Sequence, residues 1–187
     1  MRKFALLVGI IVALGLGGVP SAFAANPDVN RFTDTFSFTD PDFCGTGQDV
    51  DVSFSLKVTE FLAPNQPVDF RNVAVVNVVY TNPENDATVL RHAAGPSSGT
   101  AISGDPEGAH EITIIGLATQ LRAADGGVLL QNAGYLTLHQ VFNDEGEIVS
   151  TEIVVNRGPH PNAESGFLPN GMPVLLCEVL TDALGLN

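Results

Sequence analysis

Four histidines, two cysteines and scattered carboxylates are the residues of this chain able to do acid–base, nucleophilic or metal chemistry. The histidines are His92, His110, His139 and His160. No two of them sit at a ligand spacing for a strand or helix, and neither cysteine has a histidine neighbour at zinc-site spacing. His139 falls in YLTLHQVF (135–142), where a strand would place it on the same face as Tyr135. That pair could form a polar spot in a pocket and act as acid or base; the plainer reading is a surface or core histidine. His160 lies in RGPHP, between Pro159 and Pro161. Each proline fixes its own φ, and Pro161 also pushes His160 toward extended backbone. The segment is stiff enough to present an imidazole at a cavity mouth, or simply to end a strand. Tyr135, His139 and His160 are the candidate ligand-binding residues, and no catalytic residue can be assigned.

Other chemistries find less. Asn143, Asp144, Glu145 and Glu147, and again Asn82, Glu84, Asn85 and Asp86, gather oxygens of the kind Ca²⁺ takes. Both sets miss the D-x-[DN]-x-[DN]-G order and suit polar turns, so no metal is expected. No G-x-S-x-G is present, which removes the nucleophile-elbow hydrolases. Gly45-x-Gly47 is isolated from any strand-to-helix turn that would cradle a phosphate. No cofactor is expected.

The chain begins MRKFALLVGIIVALGLGGVPSAFAANP. A basic start, an apolar run too short to span a bilayer and the small residues Ala22 and Ala24 predict a secretory signal over 1–24, cleaved after Ala24. The mature chain, 25–187, has the length of a single domain, with no membrane segment after cleavage. Loss of Arg2 and Lys3 takes the formal charge from −13 to −15 and leaves Lys57 as the only lysine. So acidic a surface repels nucleic acid and anionic lipid, since phosphate binding needs Lys and Arg. With 44% apolar residues the chain can bury a core. In an oxidising compartment Cys44 and Cys177 are expected to form a disulfide, tying the start of the domain to its end.

The elements that must position these groups are strands. In QDVDVSFSLKVTE (48–60), Val50, Val52, Phe54, Leu56 and Val58 share one face and polar residues the other. Further strands are expected at 30–38, 73–80, 88–94, 110–122, 135–142, 147–155 and 173–180, with a hairpin turn at 143–146. Longer loops are expected at 95–109 and 157–171. No stretch carries a capped 3.6-residue period; GLATQLRAAD (116–125) comes nearest. About eight antiparallel strands predict an all-β fold, a single up-and-down barrel whose closure removes exposed edges. A two-sheet sandwich is the alternative.

Val128 to Pro161, through AGYLTL, NDEGE and RGPHP, with the late LCEVL (176–180), resembles uncharacterised secreted actinobacterial proteins. These are small β-barrels similar in plan to the allene oxide cyclase and dirigent barrels, the calycin-like architecture. No catalytic residue of those enzymes can be matched to a position here. The resemblance, the export signal and the missing catalytic constellation lead to the expectation of a secreted, non-enzymatic barrel. It would bind a small apolar ligand or an extracellular partner. The alternatives are a cyclase or isomerase with a barrel pocket, which rests on analogy, and a structural protein forming a homo-oligomer.

Overall fold

A computed structural model describes residues 28–62, 70–102, 109–143, 148–168 and 172–186. The expected signal segment and cleavage point lie outside the described residues, as do Asp144, Glu145 and Glu147 of one acidic turn. The alternating segments form β1 (Asp28–Asp40), β2 (Val50–Leu62), β3 (Phe70–Thr81), β4 (Thr88–Ala101), β5 (Ala109–Ala123), β6 (Val128–Phe142) and β7 (Ile148–Arg157). They make one antiparallel sheet in chain order. The all-β expectation holds. Among the described residues there are seven strands where about eight were expected, and no ladder joins β1 to β7.

The eighth expected strand, 173–180, is instead the start of a helix. A short helix α1 (Pro161–Glu164) is followed by α2 (Val174–Leu184). Leu176, Cys177, Leu180 and Leu184 are its buried residues, the spacing of one helical face. Gly185, at φ 68°, ends it in the left-handed conformation. Its N–H donates to the Asp182 carbonyl, and the Leu186 N–H donates to that of Thr181 at 2.9 Å, the pairing of a Schellman cap. The Leu184 carbonyl accepts from the Asn82 and Asn85 side-chain amides at 3.0 and 3.1 Å. Those amides, grouped above with possible cation ligands, cap a helix.

β4 runs well past its expected end. Gly95 to Gly99, read as loop from their residue types, pair with β3 across Phe70↔Gly99 to Ala74↔Gly95. Pro96 is tolerated inside the sheet because the ladder to β5 passes from Ala94↔Leu117 to Ser97↔Ile114, pairing neither Gly95 nor Pro96. The missing proline N–H falls where no bond is needed. The expected 157–171 loop holds α1 and one bridge, Phe167↔Pro173.

The core lies on one face of the sheet, called here the covered face. Val50, Val52 and Phe54 of β2, Val78 and Tyr80 of β3, Val89 of β4, Leu121 of β5 and Leu130 of β6 pack with Leu176, Leu180 and Leu184 of α2. Phe43, from the 3-10 turn Phe43–Gly45, joins them fully buried. The same turn carries Cys44, whose disulfide to Cys177 spans 133 residues with Cα atoms 5.7 Å apart. Closing so long a loop is worth at most about 5 kcal/mol on the loop-entropy view.

Two outcomes follow. The intact protein should weigh one hydrogen pair less than its reduced form, and a full-mass, thiol-reactive protein would contradict the bond. Leu180→Ala, at a fully buried position, is expected to cost about 2–5 kcal/mol in denaturant unfolding. An unchanged midpoint would show that α2 does not pack as described.

Candidate functional site

Cross-strand pairing arranges the covered face in transverse rows. One row runs Phe36, Phe54, Val78, Arg91, Leu121, Leu130. All are apolar but one. Val78 and Leu121, the partners of Arg91 on either side, are 1% and 0% exposed, while Arg91 keeps partial exposure. Its Nη2 donates to Thr119 Oγ1 at 3.4 Å, and its Nε is buried without a partner. Among the described residues no carboxylate pairs with it, and none of their Asp or Glu side chains is buried.

The polar groups continue from there. Thr119 stands opposite Asn132 on the β5–β6 ladder. Asn132 Oδ1 accepts the Asn162 backbone N–H at 3.2 Å. Asn162 Oδ1 is buried and unpartnered, and so are both ring nitrogens of His160. His160 is 1% exposed, Asn162 2% and Asn132 4%. A string of polar side chains thus crosses β4, β5, β6 and α1 inside an otherwise apolar layer. Each unmet buried group costs about 1–3 kcal/mol, so their gathering in one place is a local destabilisation that the packing around it must offset.

Small residues line the adjoining wall. Val76 pairs with Ala93, Ala74 with Gly95, and Gly116 with Gly134. Gly158, just beyond β7, lies against Gly134. A Cβ added to Gly134, at φ 138°, would sit 2.3 Å from the Arg157 carbonyl oxygen and 3.0 Å from His160 Nε2; one on Gly158 would sit 2.5 Å from the Ala133 oxygen. The two backbones meet because neither carries a side chain. The Ala133 N–H donates to the Pro159 carbonyl at 3.0 Å, fastening the RGPHP segment across β6. His160 follows in non-helical backbone (φ −125°, ψ 57°) immediately before α1, and its imidazole lies over Gly134.

The three candidates from sequence do not converge. His160 belongs to the covered face. Tyr135 is 37% exposed on the opposite face. His139 shares that face, its side chain 36% exposed and its Nε2 3.2 Å from Glu111 Oε2. His92 Nδ1 lies 2.7 Å from Asn77 Oδ1 on the same outer surface. His110 is buried, edge-on to Phe142 with ring centres 5.6 Å apart. Burial pushes the Asp40 carboxyl above its ordinary range, but Asp40 stands at the β1–β2 turn, outside the polar string. Arg91, Thr119, Asn132 and Asn162 went unseen in the sequence. The available signal was the phase of Val89, Arg91 and Ala93, which puts a cation among apolar residues. The mixed LRHAA stretch hides that phase until the partner strand is known.

No protein-family model, no curated protein and no solved structure matches this chain.

Two substitutions test this geometry. Gly134→Ala is expected to lower stability by about 1–3 kcal/mol through backbone conflict. His160→Leu removes two unmet nitrogens and is expected to be neutral or to stabilise by about 1 kcal/mol. A loss of 2 kcal/mol or more (an order-of-magnitude threshold) on chemical denaturation would mean that the imidazole has partners in the folded protein.

Proposed function

We propose that this protein is exported, acts without catalysing a reaction, and holds one small, largely apolar ligand against the covered face of its sheet. The observation that carries the reading is the polar string from Arg91 to His160. Small-molecule sites are apolar surfaces with a few convergent polar groups, and this is such a pattern. The partly exposed Ala74, Val76, Ala93, Gly95 and Gly134 support room for a ligand. Val76 packs against the main core around α2, and a second packed zone of Leu136, Leu138 and Ala163 with Ile153 and Phe167 is distinct from it.

A barrel-like form, similar in plan to the allene oxide cyclase and dirigent barrels, is part of the proposal. Five flat strands would span about 19 Å at about 4.8 Å per gap, whereas a helix is about 10 Å across. A single core joining β2 through β6 to one helix favours a sheet that wraps around α2. Export is supported by the basic, apolar, small-residue pattern of 1–24 and by the disulfide, which suits an oxidising compartment. Among the described residues no helix is long and apolar enough to cross a membrane. The cyclase or isomerase alternative has His160 as its one buried candidate near the wall, with no buried carboxylate to work with it among the described residues.

The direct test is titration of the mature protein with N-phenyl-1-naphthylamine, a neutral apolar fluorophore. A saturable, blue-shifted rise in emission at equimolar stoichiometry is expected. Emission no greater than with the reduced, denatured chain would end the reading.

A further inference from the structure

We infer that the ligand carries a carboxylate, and that Arg91 is its partner; this rests on the ligand-binding reading above. A guanidinium stays protonated throughout the physiological range. Arg91 keeps partial exposure, but its Nε is withdrawn from water, and a buried donor is unfavourable unless it is hydrogen-bonded. Arg91 has one long hydrogen bond, to Thr119 Oγ1, and an unmet buried Nε. Its neighbours in the row, Val78 and Leu121, offer nothing polar. The other groups of the string, Thr119, Asn132 and Asn162, are uncharged. The chain carries 21 acidic residues against 8 basic ones, and still none of the described acids reaches this cation. The missing complement is an anion with oxygens for the guanidinium fork to meet, which a carboxylate supplies in two parallel hydrogen bonds.

A single cation among neutral groups suits one negative charge rather than the two of a phosphate monoester. The body of the ligand is set by what adjoins the fork. Val76 and Ala93 form the next row, Ala74 and Gly95 the one after, and Leu56 and Val58 of β2 flank them. From β2 to β4 these rows hold no charged side chain; the one charge at their β1 end is Asp34, exposed and three strands away from Ala93. The imidazole of His160, 99% buried with both nitrogens unmet, lies over Gly134 in the same row as Gly95 and Gly116. It is an independent sign that this wall lacks a polar complement. The class that fits is a monocarboxylate on an apolar chain.

The experiment is competition against bound N-phenyl-1-naphthylamine by decanoate and by decanol, which share a chain and differ in the head group. Decanoate is expected to displace the probe at concentrations about tenfold or more below decanol, the ratio of a charge-assisted pair to a neutral one. Arg91→Met should abolish that preference, bringing the displacing concentrations of decanoate and decanol to within about twofold of each other. Arg91→Lys, which keeps the charge and loses the fork, should retain part of it and covers the case in which the Met variant fails to fold. Equal displacement by the two compounds in the wild-type protein overturns the inference and leaves the apolar-ligand reading standing. If neither the probe nor either compound binds, both fall together.

Discussion

The seating of α2 on the sheet is the contact on which the rest of the molecule depends. An antiparallel sheet with one apolar face must cover that face or lose the main gain of folding. Here the cover is a single helix. Leu176, Leu180 and Leu184 enter a layer built by five successive strands. The Cys44–Cys177 bond holds one side of the helix to the Phe43–Gly45 turn. The Asn82 and Asn85 amides hold its last carbonyl to the β3–β4 turn. Gln48 adds a bond from its Nε2 to the Leu186 carbonyl at 3.3 Å. A helix fixed at both ends can close one half of the covered face completely. That half is where Val50, Val52, Leu121, Leu180 and Leu184 show no exposure.

The other half is differently made. Beyond the row of Arg91 the wall falls to alanine and glycine, and the polar string begins. The glycines let β6 and the exit of β7 touch backbone to backbone, so His160 folds over Gly134 rather than away from it. Hydrophobic burial in the α2 half supplies the stability against which unmet polar atoms near His160 and Asn162 can persist. Groups of that kind are a net loss to the free protein and are retained where a site is useful. A fully packed apolar half and a small-walled polar half on one face are the division that the proposed binding role would use.

Much of this was legible in the sequence, in places with identifiable limits. Val50 to Val58 alternate without a fault, and their face is buried as the period requires. The pairing of Cys44 with Cys177 was expected from an even cysteine count behind an export-like leader pattern, and the disulfide is present. The helix α2 was missed because PVLLCEVL, cut at residue 180, is apolar at every position but one and has no visible period. The stripe emerges only when Leu184 and the terminating Gly185 are included. Gly95 to Gly99 carry poor strand formers, yet they are held in the ladder by their partners on β3, Phe70 to Ala74. Period two showed that Tyr135 and His139 share a face and could not say which, since that depends on where α2 sits. The stiffness of RGPHP was read correctly as a strand exit. The inward turn of its imidazole depends on Gly134, a residue on another strand, and no local pattern encodes it.

Arg91 stands where the two halves meet, and the carboxylate inferred to complete it would lie on that boundary. A crystal structure of the mature, disulfide-bonded protein grown with decanoate would test it most directly. The expected result is a carboxylate about 3 Å from the Arg91 guanidinium nitrogens, with its chain lying along Ala93 and Ala74. A covered face filled there by the protein's own side chains, with Arg91 bonded to them alone, would contradict it.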